Sequence, residues 1–278
     1  MTTPAIPPVR SVVDRQAAYA EMMQRLEDGD LMLTDLSKWL PSLARFARPM
    51  LPGEMVLLIG DTGTGKSGVG LNIAQIMRPH GVLLFNMELP ECVVFEREMA
   101  LIHNKDCRVV EEHYRHGEKL RTGPSDHIYT VTMSGLDVAK MDAALEYQRQ
   151  HGDCDPEIVI VDYIQLMRGA GGSRYEKISA AAEGLKAWAV NQNIVVIAIS
   201  QIHRKGESYQ TEVHLHDAKD SGSLENSAQL VLTMWRDAED STLIMLSVEK
   251  CSRGRTGRIP CNFDGNTMRV TERASWGE

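Results

Sequence analysis

The stretch Gly60-Asp61-Thr62-Gly63-Thr64-Gly65-Lys66-Ser67 decides the fold. It reads G-x-x-x-x-G-K-S, and its flanks supply the context that this pattern requires. Before it, Met55-Val56-Leu57-Leu58-Ile59 is a short, unbroken apolar run, the mark of a buried strand. After it, Val69, Leu71, Ile73, Ala74 and Ile76-Met77 recur at helical spacing up to Pro79. Gly60, Gly63 and Gly65 let successive backbone N–H groups turn inward around phosphate oxygens, with a helix N-terminus behind them. In such a loop Lys66 reaches the β- and γ-phosphates and the Ser67 hydroxyl ligates Mg²⁺. Asp61, Thr62 and Thr64 complete the loop. The pattern implies a nucleoside triphosphate site, with ATP and Mg²⁺ as the expected ligands.

Working outward, 278 residues suffice for one large α/β domain with a well-buried core and some additional elements. No apolar run approaches the length of a membrane span, and the N-terminal stretch MTTPAIPPVR lacks a signal peptide's apolar centre. The five cysteines, at 92, 107, 154, 251 and 261, are odd in number and show no paired metal spacing. They read as reduced thiols of a cytoplasmic protein. A formal charge of −8 argues against a protein that coats DNA through its whole surface, but leaves room for a local basic lining.

Residues 1–10 hold three prolines and predict an extended tail. Ser11, with Asp14 three residues on, predicts a capped helix ending before Gly29, with Val12, Tyr19, Met23 and Leu26 as its apolar stripe. That helix stands apart, so residues 1–30 form a tail and amphipathic helix, and 31–278 the main domain. Its stripe packs either on the chain's own domain or on a neighbouring subunit.

Past the linker at Pro52-Gly53, strands are expected at 55–59, 81–86, 127–132, 157–162 and 194–199. Helical patterns fill 91–104, 107–117, 136–150 and 175–192 between them. Shorter strands follow at 230–235, 242–248, 257–261 and 267–270, joined by turns such as Asp264-Gly265. Alternating β and α units with continuously apolar strands predict a mostly parallel sheet covered on both faces, extended by antiparallel strands near the C-terminus.

Ligands of α/β sheets sit outside the carboxyl ends of the strands. Glu88, Asp162, Ser200-Gln201 and, more loosely, Lys250 stand at such ends. Asp162, after four aliphatic residues, suits the acidic group that holds Mg²⁺ directly or through water. Glu88 is placed to orient or deprotonate an attacking water, and Gln201 to touch the γ-phosphate and report its presence.

Taken in order, Phe85-Asn86-Met87-Glu88-Leu89-Pro90, Ile158-Val159-Ile160-Val161-Asp162-Tyr163-Ile164-Gln165-Leu166-Met167 and Ile199-Ser200-Gln201-Ile202-His203-Arg204 resemble the motifs of the motor domain of DnaB-type replicative helicases. Asp220-Ser221-Gly222-Ser223-Leu224-Glu225 and Lys250 through Gly257 continue the resemblance, which covers about residues 31–272. It implies a RecA-like P-loop ATPase core that assembles as a hexameric ring, with ATP at subunit interfaces and single-stranded DNA through the centre. By the same resemblance Glu88 is the catalytic carboxylate, Lys66 and Ser67 hold phosphate and Mg²⁺, Asp162 is the metal's acidic partner, and Gln201 couples the γ-phosphate to the DNA loops. Lys219, Asp220, Ser221 and Gly222 match the loop that tracks the DNA backbone. A second channel candidate is the glycine-rich stretch 168–177, with Arg168, Arg174 and Lys177; basic groups on a loop suit sequence-blind phosphate contacts, and equally suit a solvated surface.

Two departures stand out. The family places Lys-x-Arg where this chain has Lys250-Cys251-Ser252, with arginines instead at 253 and 255. A one-residue shift makes Arg253 the cation reaching the neighbour's γ-phosphate, with Arg255 second and Lys250 assisting. Family members carry a large helical domain ahead of the linker, where this sequence has only about thirty residues, so ring stability and loading are expected to rest on the helix at 11–27, on ATP, or on a loader or replication-initiation partner. Such a trimmed motor suits a plasmid, phage or other mobile element. The alternative function is a RecA-like regulatory or loading ATPase that binds ATP and nucleic acid without unwinding; an RNA-directed or packaging motor with the same core is a third.

Overall fold

The computed structural model describes residues 10–29, 31, 33–202, 212–213, 222–240 and 242–273. The chain divides into two compact units between Leu33 and Thr34. In the first, α1 (Val12–Glu27) begins with the expected capping box: the Ser11 side chain accepts from the Asp14 N–H while the Asp14 carboxylate reaches back to the Ser11 N–H. None of its residues is buried, and Val12, Val13 and Tyr19 are exposed. The tail predicted over residues 1–10 lies almost wholly outside the described residues.

The second unit is built on one nine-stranded sheet of order β3-β2-β4-β5-β1-β6-β7-β8-β9. Its strands are β1 (Met55–Asp61), β2 (Gly81–Asn86), β3 (Ile128–Thr132), β4 (Pro156–Asp162), β5 (Val195–Ile202), β6 (Leu230–Arg236), β7 (Leu243–Cys251), β8 (Gly257–Asp264) and β9 (Arg269–Glu272). The pairings from β3 across to β6 are all parallel, and those of β6–β7, β7–β8 and β8–β9 are antiparallel. Every expected strand is present, with β1, β5, β7 and β8 running further and β9 lying two residues later than the sequence pattern placed it.

The central strands are apolar throughout because both of their faces are covered. Val56 and Leu58 of β1 enter one core with Leu71 and Ile73 of α2 (Lys66–Ile76) and with Val94 and Leu101 of α3 (Glu91–His103). Met55, Leu57 and Ile59 enter the other, beneath Met141 and Leu145 of α5 (Val138–His151) and Ile178 and Leu185 of α6 (Arg174–Gln192). The remaining helices are α4 (Cys107–Arg115) and the short α7 (Gly222–Ser227). Outer strand β8 alternates buried and exposed residues along most of its length, as expected where one face meets solvent. The 3-10 turns at Leu36–Lys38, Pro41–Arg45 and Ile164–Leu166 carry no periodicity and have no counterpart among the expected elements. Among the described residues no helix is long and apolar enough to cross a membrane, and no three His, Cys, Asp or Glu side chains cluster as a metal site would require.

Candidate active site

Parallel pairing brings the carboxyl ends of β1, β2, β4 and β5 to one edge of the sheet. A cleft of ≈ 280 Å³ opens there, lined among others by Lys66, Ser67, Glu88, Asp162 and Gln201. Five of the residues singled out in the sequence thus meet around one cavity.

The loop between β1 and α2 curls onto one acceptor. The Asp61 carbonyl receives the Thr64 N–H at 3.3 Å, the buried Thr64 hydroxyl at 2.8 Å and Lys66 Nζ at 2.6 Å. Asp61 Oδ1 also accepts the Thr62 N–H at 2.7 Å. Gly60 has no room for a side chain, since a Cβ would lie 2.9 Å from Met234 Cγ and from Thr64 Oγ1. Gly65 sits at φ +99°, a left-handed conformation, and starts α2 without any side-chain cap. Side chains cap α1, α4, α5 and α6, through Ser11, Asp106, Asp137 and Ser173. By contrast α2 and α3, which start beside the cleft, lack one. An uncapped first turn leaves N–H donors and the positive helix end for an anion.

Charge in this cleft is costly. Lys66 is 7% exposed, and burial lowers its pKa to about 8, against the opposing pull of Asp162, Asp61 and Glu88. Burial likewise raises the Asp162 carboxyl, helped by the neighbouring Glu88 carboxylate and opposed by the Ser67 hydroxyl and Lys66. A bound polyphosphate would offset the first cost and a divalent cation the second, so the residues present fit both groups.

Glu88 is exposed at the rim, held by a residue that reads in the sequence as a plain strand end. Buried Asn86 accepts the Leu89 N–H at 3.1 Å and the Glu88 N–H at 3.4 Å, and donates to the Leu89 carbonyl at 2.5 Å. The Gln201 carboxamide donates to Thr62 Oγ1 of the phosphate loop. Three further residues stand at or beside the cleft without a signal in the sequence. Arg97 of α3 lines it beside Asp162. Phe263 of β8 lays its ring against Gly65 and Gly68. Arg236 at the end of β6 stacks 5.0 Å over that ring and donates to the Gly63 carbonyl at 3.0 Å.

The cations of the 250–255 segment lie elsewhere. Lys250 Nζ donates to the Glu225 carbonyl at 2.7 Å. Arg253 forms a two-pronged pair with Glu54, Nη2 to Oε2 at 2.6 Å and Nε to Oε1 at 3.1 Å, and also donates to the Pro49 carbonyl at 2.7 Å. Arg255 is exposed, stacks 5.7 Å over Phe46 and donates through Nε to the Arg45 carbonyl at 2.8 Å. Of the nucleic-acid candidates, Lys219, Asp220 and Ser221 lie outside the described residues, and Gly222 opens α7. Arg168, Arg174 and Lys177 are exposed on the loop after β4 and the first turn of α6, outside the cleft lining.

Residues 36–272 match the family described as DnaB-like helicase C terminal domain. A replicative DNA helicase DnaB of Pasteurella multocida (strain Pm70) is 25% identical over 285 residues, covering 93% of this chain and 60% of that protein. Its counterpart from Geobacillus stearothermophilus is 24% identical over 282 residues, covering 91% and 60%. The chain thus spans about 60% of the length of these relatives. Among solved structures, a chain described as an ATPase domain superposes with a TM-score of 0.79 at 20% identity, covering 96% of this chain and 100% of that one. A DnaB-like replicative helicase, solved in a study of its interactions with primase, gives 0.73 at 20% identity, over 95% and 67%. The fold is therefore that of the DnaB-type ATPase domain, and the chain belongs to the DnaB-like helicase C-terminal domain family.

Proposed function

We infer that this chain is an ATP-hydrolysing motor that assembles as a ring, a hexamer by family likeness, and moves along single-stranded DNA. The observation that carries the reading is the cleft: a phosphate loop, a buried lysine whose charge is poorly solvated, and two carboxylates of different exposure converge at one sheet edge. The loop's N–H groups and Lys66 bind the β- and γ-phosphates. Ser67 and Asp162 are the residues that would hold Mg²⁺, which neutralises charge building up on the transferring phosphoryl group. Glu88, exposed at the rim and tethered by Asn86, takes the proton from the attacking water. Gln201 contacts the γ-phosphate from the neighbouring strand end. Arg168, Arg174, Lys177 and the segment Lys219, Asp220, Ser221 and Gly222 serve as phosphate contacts to the nucleic acid.

For the cation supplied to a neighbour's site we favour Arg255, assisted by Lys250, over Arg253, because Arg253 already holds a two-pronged partner within its own subunit. Residues 1–30 act as a linker whose exposed helix packs on the adjacent subunit, and a loader or replication protein is the expected partner. The same Arg253–Glu54 pair, with Ser252 in the usual arginine's place, is the one observation favouring the second reading, a regulatory or loading ATPase. Glu88→Gln tests the mechanism: nucleotide binding should persist while turnover drops about 10²–10⁴-fold. Stimulated turnover retained in that variant would remove Glu88 from its role.

A further inference from the structure

Strands β4 and β5 part before they end. Their ladder runs from Ile158↔Val195 to Val161↔Ala198 and stops, whereas β5 stays paired with β1 as far as Asp61↔Ile202. The last four residues of β5 therefore lose their β4 neighbour just where Gln201 must be held.

Gln165 fills that fork. It lies in the 3-10 turn Ile164–Leu166, three residues after Asp162 and three before Arg168. Its Nε2 donates to the Gln201 carbonyl at 2.8 Å and to the buried Ser200 hydroxyl oxygen at 2.8 Å. Its Oε1 accepts the Gln201 N–H at 3.1 Å. A primary amide has two N–H groups and one carbonyl oxygen, and here all are engaged. The side chain reproduces the paired donor and acceptor of a strand edge, so it extends the ladder by one residue after the backbone has diverged. The carboxamide of Gln201 is then aimed at Thr62 of the phosphate loop. Two neighbouring residues each hydrogen-bonded to one amide do not rotate independently of it.

We propose that Gln165 is a positioning residue for the nucleotide cleft: it fixes the aim of Gln201 at the phosphate loop and ties that contact to the loop carrying Arg168, Arg174 and Lys177. This rests on the ATPase reading above. Gln165 is not itself part of the cleft lining and meets it at Gln201, so its effect passes through Gln201 and belongs to turnover rather than to nucleotide affinity.

The test is a kinetic double-mutant cycle on the full chain, with Gln165→Leu, Gln201→Ala and the pair, measuring ATP turnover with and without a single-stranded oligonucleotide and binding of a fluorescent ADP. Gln165→Leu should lower the stimulated kcat by up to about 10²-fold, with KM and ADP affinity near those of the unaltered chain. The double variant should be no slower than Gln201→Ala alone, since the first residue acts through the second. Gln165→Glu guards against misfolding. It keeps the acceptor for the Gln201 N–H and loses the donations to the Gln201 carbonyl and to the Ser200 hydroxyl oxygen, of which a protonated carboxyl restores the first. Its kcat relative to the unaltered chain should therefore recover as pH falls, while that of Gln165→Leu stays flat. Multiplicative losses in the double variant, or loss of ADP binding together with kcat, would overturn the positioning role. An unaltered chain with no turnover would overturn the ATPase reading and this one together; normal turnover in Gln165→Leu would overturn this one alone.

Discussion

Strand β1 has charge at both ends, arranged in opposite ways. At its amino end Glu54 and Arg253 meet in two hydrogen bonds of 2.6 and 3.1 Å, and the Leu51 N–H and the Pro49 carbonyl occupy further positions around them. At its carboxyl end Lys66 donates to a backbone carbonyl and Asp162 is buried beside another carboxylate, and for both, burial outweighs the opposite charges nearby. The first charges are matched within the chain. The second are held in a state that burial disfavours, at a place where phosphate and a divalent cation would supply what is missing. A charge that burial outweighs marks a ligand site; one matched by hydrogen-bonded partners marks architecture.

The comparison breaks first at the arginines. Arg255→Ala should cost about 10³–10⁵-fold in turnover of the assembled protein if it serves the neighbouring site, with little change in thermal stability because the side chain is exposed. Arg253→Ala should do the reverse, leaving turnover of the folded protein close to normal and lowering unfolding stability in urea by about 1–3 kcal/mol, less than for a fully buried pair. The side chains of Arg253 and Glu54 are 31% and 14% exposed, which sets that discount. If Arg253→Ala instead abolished turnover with stability intact, the pair would not be architecture and the two ends of β1 would be alike.

The smallest effect sharpens the other end. With the Lys66 pKa near 8 in the fold and 10.5 in the open chain, both states carry the charge below pH 8 and the fold bears the whole desolvation cost. Between those values the unfolded chain binds more protons, so the nucleotide-free protein should gain stability as pH rises through that window. Polyphosphate binding should restore the ammonium and take up protons just above pH 8, seen by calorimetry in buffers of different ionisation heat. Lys66→Arg, charged throughout, should show no uptake. Equal uptake in both would place the proton elsewhere.

Much of this was legible in the sequence because the signals are local. The phosphate loop is eight consecutive residues, and Asp162 and Gln201 each close an apolar run whose parallel pairing sends both to one edge. What stayed hidden depends on pairing between distant segments. Glu54 and Arg253 are 199 positions apart. Phe263 reaches Gly65 only because β6 to β9 fold back beside β1. Arg97, between Glu96 and Glu98, looks like part of a solvated helix face until α3 is docked against the cleft. Asn86 reads as the last residue of an apolar strand, and nothing local says that its side chain holds the next turn. Arg253, favoured as a one-residue shift from the family's Lys-x-Arg, has its guanidinium engaged by Glu54, which no local signal in the sequence shows.

The most direct measurement is ATP hydrolysis with and without single-stranded DNA, with the mass of the assembly recorded in a non-hydrolysable ATP analogue. The account predicts strong stimulation by the strand and a ring-sized assembly held together by nucleotide. Unstimulated turnover from a monomer would contradict it, leaving a nucleotide-binding domain whose cleft is built but whose neighbour supplies nothing.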